Sequence, residues 1–342
     1  MKNLLFFIFF LSFKSLVAQD TLSIIGVGDM MLGTNFPKAN LLPPNEGKNL
    51  FADVSDILQS ADITFGNLEG VVLNEGCEQK KCKDSTMCYL FRMPEYLVDR
   101  LNDAGFDMLS IANNHVGDFG EQGRKNTVKT LQAKNLAFAG LLSCPTTVLE
   151  KNGIKYGLAA FAPNSGTVDI RKIAQAQEIV KNLSQKCDIV IVSFHGGAEG
   201  PNHQHVPKAT EKYLGEDRGN IYEFAHKVIE AGADIVFGHG PHVTRAVEVY
   251  QNRFIAYSMG NFCTYRRFNL KGVNGIAPIF NVFVDKSGNF LEAKIIATKQ
   301  PHPGGAVLDK NKTVIGIIQN LSKTDFPENP IKIDADGWIR KK

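Results

Sequence analysis

Leu22-Ser23-Ile24-Ile25-Gly26-Val27-Gly28-Asp29 is an apolar run that ends in a carboxylate. Short apolar runs of this kind, without polar alternation, predict strands buried on both faces. Gly26 and Gly28 allow close backbone approach, and Asp29 is delivered at the strand's carboxyl end, where open α/β sheets bind their ligands. The chain repeats this device. Asn67 and Glu69 follow the run at 63–66, and Asn113, Asn114 and His115 follow 109–112. His195 follows 191–194, and His239 and His242 follow 235–238. Any one of these residues is an ordinary turn former. Five strands ending in carboxylate, carboxamide or imidazole groups point to one shared site, and Asp, Glu, Asn and His are the ligand types that suit borderline and hard divalent cations.

Outward from these runs the chain alternates. Strands are expected at 22–27, 63–65, 108–112, 156–161, 189–194, 235–237 and 254–257. Helical patterns lie between them at 94–104, 121–134, 173–185 and 220–231, with Gly105 as a helix end. Two further strands, 279–285 and 290–298, flank the turn Lys286-Ser287-Gly288-Asn289 and predict a β-hairpin. Alternation of this kind predicts a layered α/β domain. The segment 301–342, richer in Pro, Lys and Asn, is expected as a tail packed on the surface of a domain spanning 20–300.

With 38 basic and 35 acidic side chains the net charge is +3, falling to about +1 without Lys2 and Lys14, so bulk nucleic-acid binding is not expected. Residues 1–19 have the form of a signal peptide: Lys2, an apolar run from 4 to 13, then small or polar residues with Ala18 at the cleavage point. An exported protein, periplasmic or at the cell surface, is expected. Its six cysteines fit an oxidising compartment. Cys77, Cys82 and Cys88 share the polar segment 74–92, expected as a surface loop stapled by one disulfide; zinc binding is the alternative, without CxxC spacing to support it. His203 and His205 fall in a polar stretch and are expected in a solvated loop.

Six segments, taken in order, carry a resemblance. They are Gly28-Asp29-Met30-Met31-Leu32-Gly33, Gly66-Asn67-Leu68-Glu69-Gly70, the stretch 112–120 around Asn113-Asn114-His115, Phe194-His195-Gly196-Gly197, Gly238-His239-Gly240-Pro241-His242-Val243 and Tyr257-Ser258-Met259-Gly260-Asn261-Phe262. Together they resemble the signatures of CapA-type poly-γ-glutamate capsule proteins, whose fold is similar to that of calcineurin-like metallophosphatases. The resemblance implies a four-layer α/β sandwich of two mixed sheets flanked by helices. It also implies a divalent metal site, with Mn, Zn or Fe as candidates. Position by position, Asp29, Glu69, Asn114, His195, His239 and His242 stand as metal ligands, and Asn114 and His115 as the pair that positions substrate and assists proton transfer. Asn67, Asn113, Arg266 and Arg267 are expected at the substrate. The sequence departs from the superfamily pattern at three places. Met31 stands where a histidine follows the aspartate, Asn67 and Glu69 occupy the region of the bridging aspartate, and the closing histidines are three apart rather than two.

The expected function is that of an exported metal-dependent hydrolase or transferase acting on an anionic polymer such as poly-γ-glutamate or on a phosphoester, with membrane-bound capsule synthesis partners. The alternative is a non-catalytic polymer-binding or export accessory. A third reading has the strand-end groups shaping a small-ligand pocket without metal.

Overall fold

The computed structural model describes residues 21–81 and 89–342. The expected signal peptide at 1–19 and the cysteines at 82 and 88 lie outside the described residues. Among the described ones, Cys77, Cys144, Cys187 and Cys263 are free thiols, with Cys263 buried. No helix among the described residues is long and apolar enough to cross a membrane.

Two mixed sheets face each other. In the larger, the Leu22–Met31 strand sits between Ile63–Leu68, which runs parallel to it, and Ile276–Val284, which runs antiparallel. Beyond Ile63–Leu68 come Met108–Ser110 and Ala137–Ala139, both parallel. On the other side the predicted hairpin Ile276–Val284 and Phe290–Lys299 extends the sheet. In the smaller sheet, Ile154–Phe161, Ile189–His195, Ile235–His239 and Arg253–Ala256 lie parallel, with antiparallel edge strands Thr146–Lys151 and Val247–Tyr250.

Strand alternation divides the apolar residues between layers. Ile24 and Phe65 of one sheet meet Ile191, Ile235 and Phe237 of the other in the central layer. The Phe65 and Phe237 rings stack at 5.5 Å. Ile25, Val27 and Leu109 point the other way, onto Val98 and Leu101 of the Val98–Ala104 helix. On the far side, Val190, Val192 and Val236 are covered by the Ile173–Ser184 and Ile221–Glu230 helices through Val180, Phe224 and Val228. The result is the expected four-layer sandwich: helices, sheet, sheet, helices.

Two features go beyond the sequence reading. The first strand, expected to stop at Val27, continues to Met31 through an irregularity at Asp29. Glycine and aspartate are poor strand formers, but here Asn261–Thr264 pairs with the extension in parallel, and the Asp29 amide donates to the Gly260 carbonyl at 2.8 Å. The tail also enters the core. Val314, Ile315 and Ile318 of the Thr313–Asp325 helix join the layer between the sheets, and Ile331–Ile333 and Trp338–Lys341 add two strands to the larger sheet. Asn329 takes over hydrogen bonding along the edge strand of the smaller sheet, accepting from the Val249 amide and donating to the Val247 carbonyl.

A Cβ at Gly28 would lie 2.0 Å from the Gly260 carbonyl oxygen. Both partners are backbone, so neither can yield cheaply. Gly28→Ala is expected to destabilise the protein, measured in the presence of chelator, by about 2 kcal/mol, read from urea unfolding midpoints at constant slope. A midpoint equal to that of the unaltered protein would show that the seam between these strands is looser than described.

Candidate metal centre

Register sets the site. His195 and His239 end neighbouring parallel strands and pair directly across them. In the other sheet Asp29 lies opposite Asn67 on one side and Asn261 on the other. The Asp29 carboxylate is fully buried. Its Oδ1 accepts from Asn67 Nδ2 at 2.8 Å and lies 3.1 Å from His239 Nδ1. Its Oδ2 is 3.0 Å from Nδ1 of His242, a residue whose backbone is left-handed, with φ of 56°. That unusual conformation turns the half-buried ring back onto the aspartate, and Asn261 Oδ1 meets the same nitrogen at 3.1 Å.

Glu69, also fully buried, faces this group: its Oε1 is 3.6 Å from His242 Nε2 and 3.9 Å from His115 Nε2. The other nitrogen of His115 is fixed by Asp118, with Nδ1 2.8 Å from Oδ2. Asp118 also accepts from the Phe91 amide at 2.8 Å and pairs with Lys80. His115 is therefore held with Nε2 toward the centre.

Charge follows from these contacts. Burial alone would lift the Asp29 carboxyl, but hydrogen bonds to His239 and His242 hold it well below the usual range. Burial and the charge of Asp29 push Glu69 up. Burial holds His195 well below its ordinary value. It would do the same to His242, but the negative charges of Glu69 and Asp29 push that ring up to about 10.

The donor set fits a cation. Both Glu69 oxygens, both His195 nitrogens, His239 Nε2 and Asn114 Oδ1 are buried without hydrogen-bond partners. Each such atom costs about 1–3 kcal/mol if left unpaired, and native proteins carry few of them. One ligand atom each from Asp29, Glu69 and His195 fall within 4.8 Å of one another. Mixed oxygen and imidazole donors suit Mn, Zn or Fe.

The residues expected at the substrate divide. A cavity of about 480 Å³ above the centre is lined by Asn114, His115, His242 and Arg267, among others. Arg266 is exposed, its guanidinium 5.8 Å from the Tyr265 ring, and is not part of that lining. Asn67 and Asn113 are fully buried and outside the cavity lining. Asn67 is spent on Asp29, and Asn113 on Asn67, the Leu68 carbonyl and the His115 amide. His203 and His205 are exposed, the latter against Asp325. Sequence reasoning gave no role to Asp118, although a carboxylate three residues after a functional histidine is a recognisable orienting signal. Arg218, from a separate hairpin, reaches the cavity with no local signal at all.

Buried carboxylates and imidazoles converging at the strand ends of a two-sheet sandwich define a protein with a candidate metal centre. Residues 23–266 match the family described as Bacterial capsule synthesis protein PGA_cap, and the chain belongs to that family. It is 28% identical over 326 residues to "Capsule biosynthesis protein CapA" of Bacillus anthracis, covering 89% of this chain and 75% of that protein. It is 30% identical over 261 residues to "PGA biosynthesis protein CapA" of Bacillus subtilis (strain 168), covering 72% of this chain and 64% of that protein. Among solved structures, a purple acid phosphatase from yellow lupin aligns with 86% of this chain and 55% of its own, with 11% identity and a TM-score of 0.40.

Glu69→Met should move stability and metal uptake in opposite directions. Removing two buried unpaired oxygens beside Asp29 is expected to stabilise the metal-free protein by about 1–2 kcal/mol, while cation uptake falls. Thermal unfolding with and without chelator reads both. A metal-free variant less stable than the parent would mean that the contact of Glu69 with His242 outweighs the cost of burying its carboxylate.

Proposed function

We propose that this protein is exported and acts as a metal-dependent hydrolase or transferase on an anionic polymer such as poly-γ-glutamate, or on a phosphoester. The observation that carries this reading is the set of buried, unpartnered donors on Glu69, His195, His239 and Asn114 around the Asp29 carboxylate. Membership of a bacterial capsule synthesis family supports a polymer as substrate, with membrane-bound synthesis proteins as partners. The form of residues 1–19 supports export.

Asp29, Glu69, Asn114, His195, His239 and His242 would hold the cation. A bound divalent ion would polarise the scissile group and lower the pKa of water. The rest falls to the chain itself. His115, with Nδ1 tied to Asp118, presents Nε2 to the cavity and exchanges a proton there with the attacking or leaving group. Phe91 lies against the His115 ring at 4.1 Å and Phe268 packs edge-to-face with His242 at 5.4 Å, giving each imidazole an apolar flank. Arg267 on the cavity wall suits an anionic substrate; Lys80 and Arg218 line the same wall but are each paired with carboxylates.

One residue favours a second reading. Met31, buried at 1% exposure, stands where the superfamily's first signature carries a histidine. A thioether is a poor ligand for a hard cation, and a site so reduced suits an accessory that binds polymer without cleaving it. The two readings separate on one preparation. Elemental analysis is expected to find near-stoichiometric Mn, Zn or Fe in the mature protein and little in Asp29→Ala or His239→Ala. Turnover of phosphoesters or γ-glutamyl polymers should vanish in Asp29→Ala and His195→Ala. Polymer binding with no turnover by the metal-loaded protein would select the accessory, and absence of metal after incubation with excess cation would remove the hydrolase.

A further inference from the structure

Three cations line the cavity above the metal centre: Lys80, Arg218 and Arg267. Two are already neutralised. Lys80 pairs with Asp118. Arg218 lies between Glu199 at 3.0 Å and Glu216 at 3.3 Å. Arg267 has no carboxylate partner among the described residues. Its guanidinium sits 4.8 Å from the centre of the Tyr89 ring, and its Nε is buried without a hydrogen-bond partner. An aromatic face beneath a guanidinium fixes its plane and leaves the donors at its edge free.

The backbone at this point is strained. Arg266 and Arg267 are consecutive left-handed residues, with φ of 56° and 61°. Neither is glycine, so the conformation is unfavourable for both, and such residues collect where a site requires their geometry. The turn is held from outside and from within. The Arg266 amide donates to the Pro303 carbonyl at 2.7 Å, and the Phe268 amide to the Arg266 carbonyl at 2.7 Å. Its effect is to aim two neighbours at one place. Phe268 packs on Phe91 and on the edge of His242, while Arg267 takes the cavity wall.

We propose that Arg267, backed by Tyr89, is the residue through which this cavity recognises its substrate, binding the paired oxygens of a carboxylate or phosphate seated above the metal centre. The guanidinium fork matches either group with two parallel hydrogen bonds. The choice of an anionic ligand rests on the function proposed above; the role of Arg267 does not require turnover. Arg266, exposed and outside the cavity, has no part in it.

The test is equilibrium binding, by fluorescence anisotropy, to the full mature chain with and without chelator. The probes are a labelled γ-glutamate oligomer and a labelled polyphosphate of similar length. At least one probe is expected to bind, and which of the two does so identifies the oxyanion. Arg267→Ala should weaken that binding about ten-fold or more, with Arg267→Lys intermediate. Arg266→Ala, which removes an equal charge, should change it by no more than about two-fold. Equal losses in the two alanine variants, an unaffected Arg267→Ala, or an unaltered protein that binds neither probe would each overturn the proposal. Arg267-dependent binding without any turnover would leave it standing and sink only the hydrolase. Melting temperatures within the range of the Arg266→Ala control establish that a loss is not unfolding.

Discussion

The Asp29 carboxylate is where the two sheets are tied together. It belongs to the larger sheet, yet two of its partners, His239 and His242, come from the end of a strand in the smaller one and from the loop beyond it. A buried carboxylate keeps its charge only when partners satisfy it, so the two sheets cannot shift against each other without exposing an uncompensated ion. Close backbone packing makes the junction possible. Gly28 meets the Gly260 carbonyl, and a Cβ at Gly238 would lie 2.3 Å from the Tyr257 carbonyl oxygen. The glycines are therefore as much a part of the centre as its carboxylates and imidazoles.

Around this tie the molecule concentrates what proteins elsewhere avoid: buried carboxylates side by side, imidazole nitrogens without hydrogen-bond partners, and a histidine in a left-handed conformation. The surrounding layers are apolar, fully buried and conventional in packing, from the Phe65–Phe237 stack to the helices over Val192 and Val236. Stability generated there offsets a centre that is unfavourable when alone. Such an arrangement is expected where residues are kept for binding rather than for folding.

Much of this was legible in the chain. Apolar runs ending in Asp, Asn or His gave the strands and placed Asp29, Glu69, Asn114, His115, His195, His239 and His242 at their carboxyl ends, because a doubly buried strand leaves an unbroken hydrophobic signal. What depended on distant pairing was not. The extension of the first strand through Asp29 needs residues 261–264 beside it. Asn67 and Asn113 have the same chemistry as Asn114, and only the register sends them inward and Asn114 to the cavity. Arg266 and Arg267 are adjacent and identical in kind; a left-handed turn held by the Pro303 carbonyl separates their roles. The tail reads as polar by composition, but the spacing of Val314, Ile315 and Ile318 makes one face of its helix a core face.

The position of the first strand carries a consequence for the order of events in the life of the chain. Leu22–Met31 lies between strands that begin at residues 63 and 276, and its carboxyl end is completed by residues 239, 242 and 261. A ribosome releasing the chain from its amino end exposes Asp29 long before any of the later partners exist. Contacts of such wide sequence separation form slowly, so the sandwich closes only after nearly the whole polypeptide has been made. Until then Asp29 is a solvated carboxylate, without the two histidines that later fix its charge.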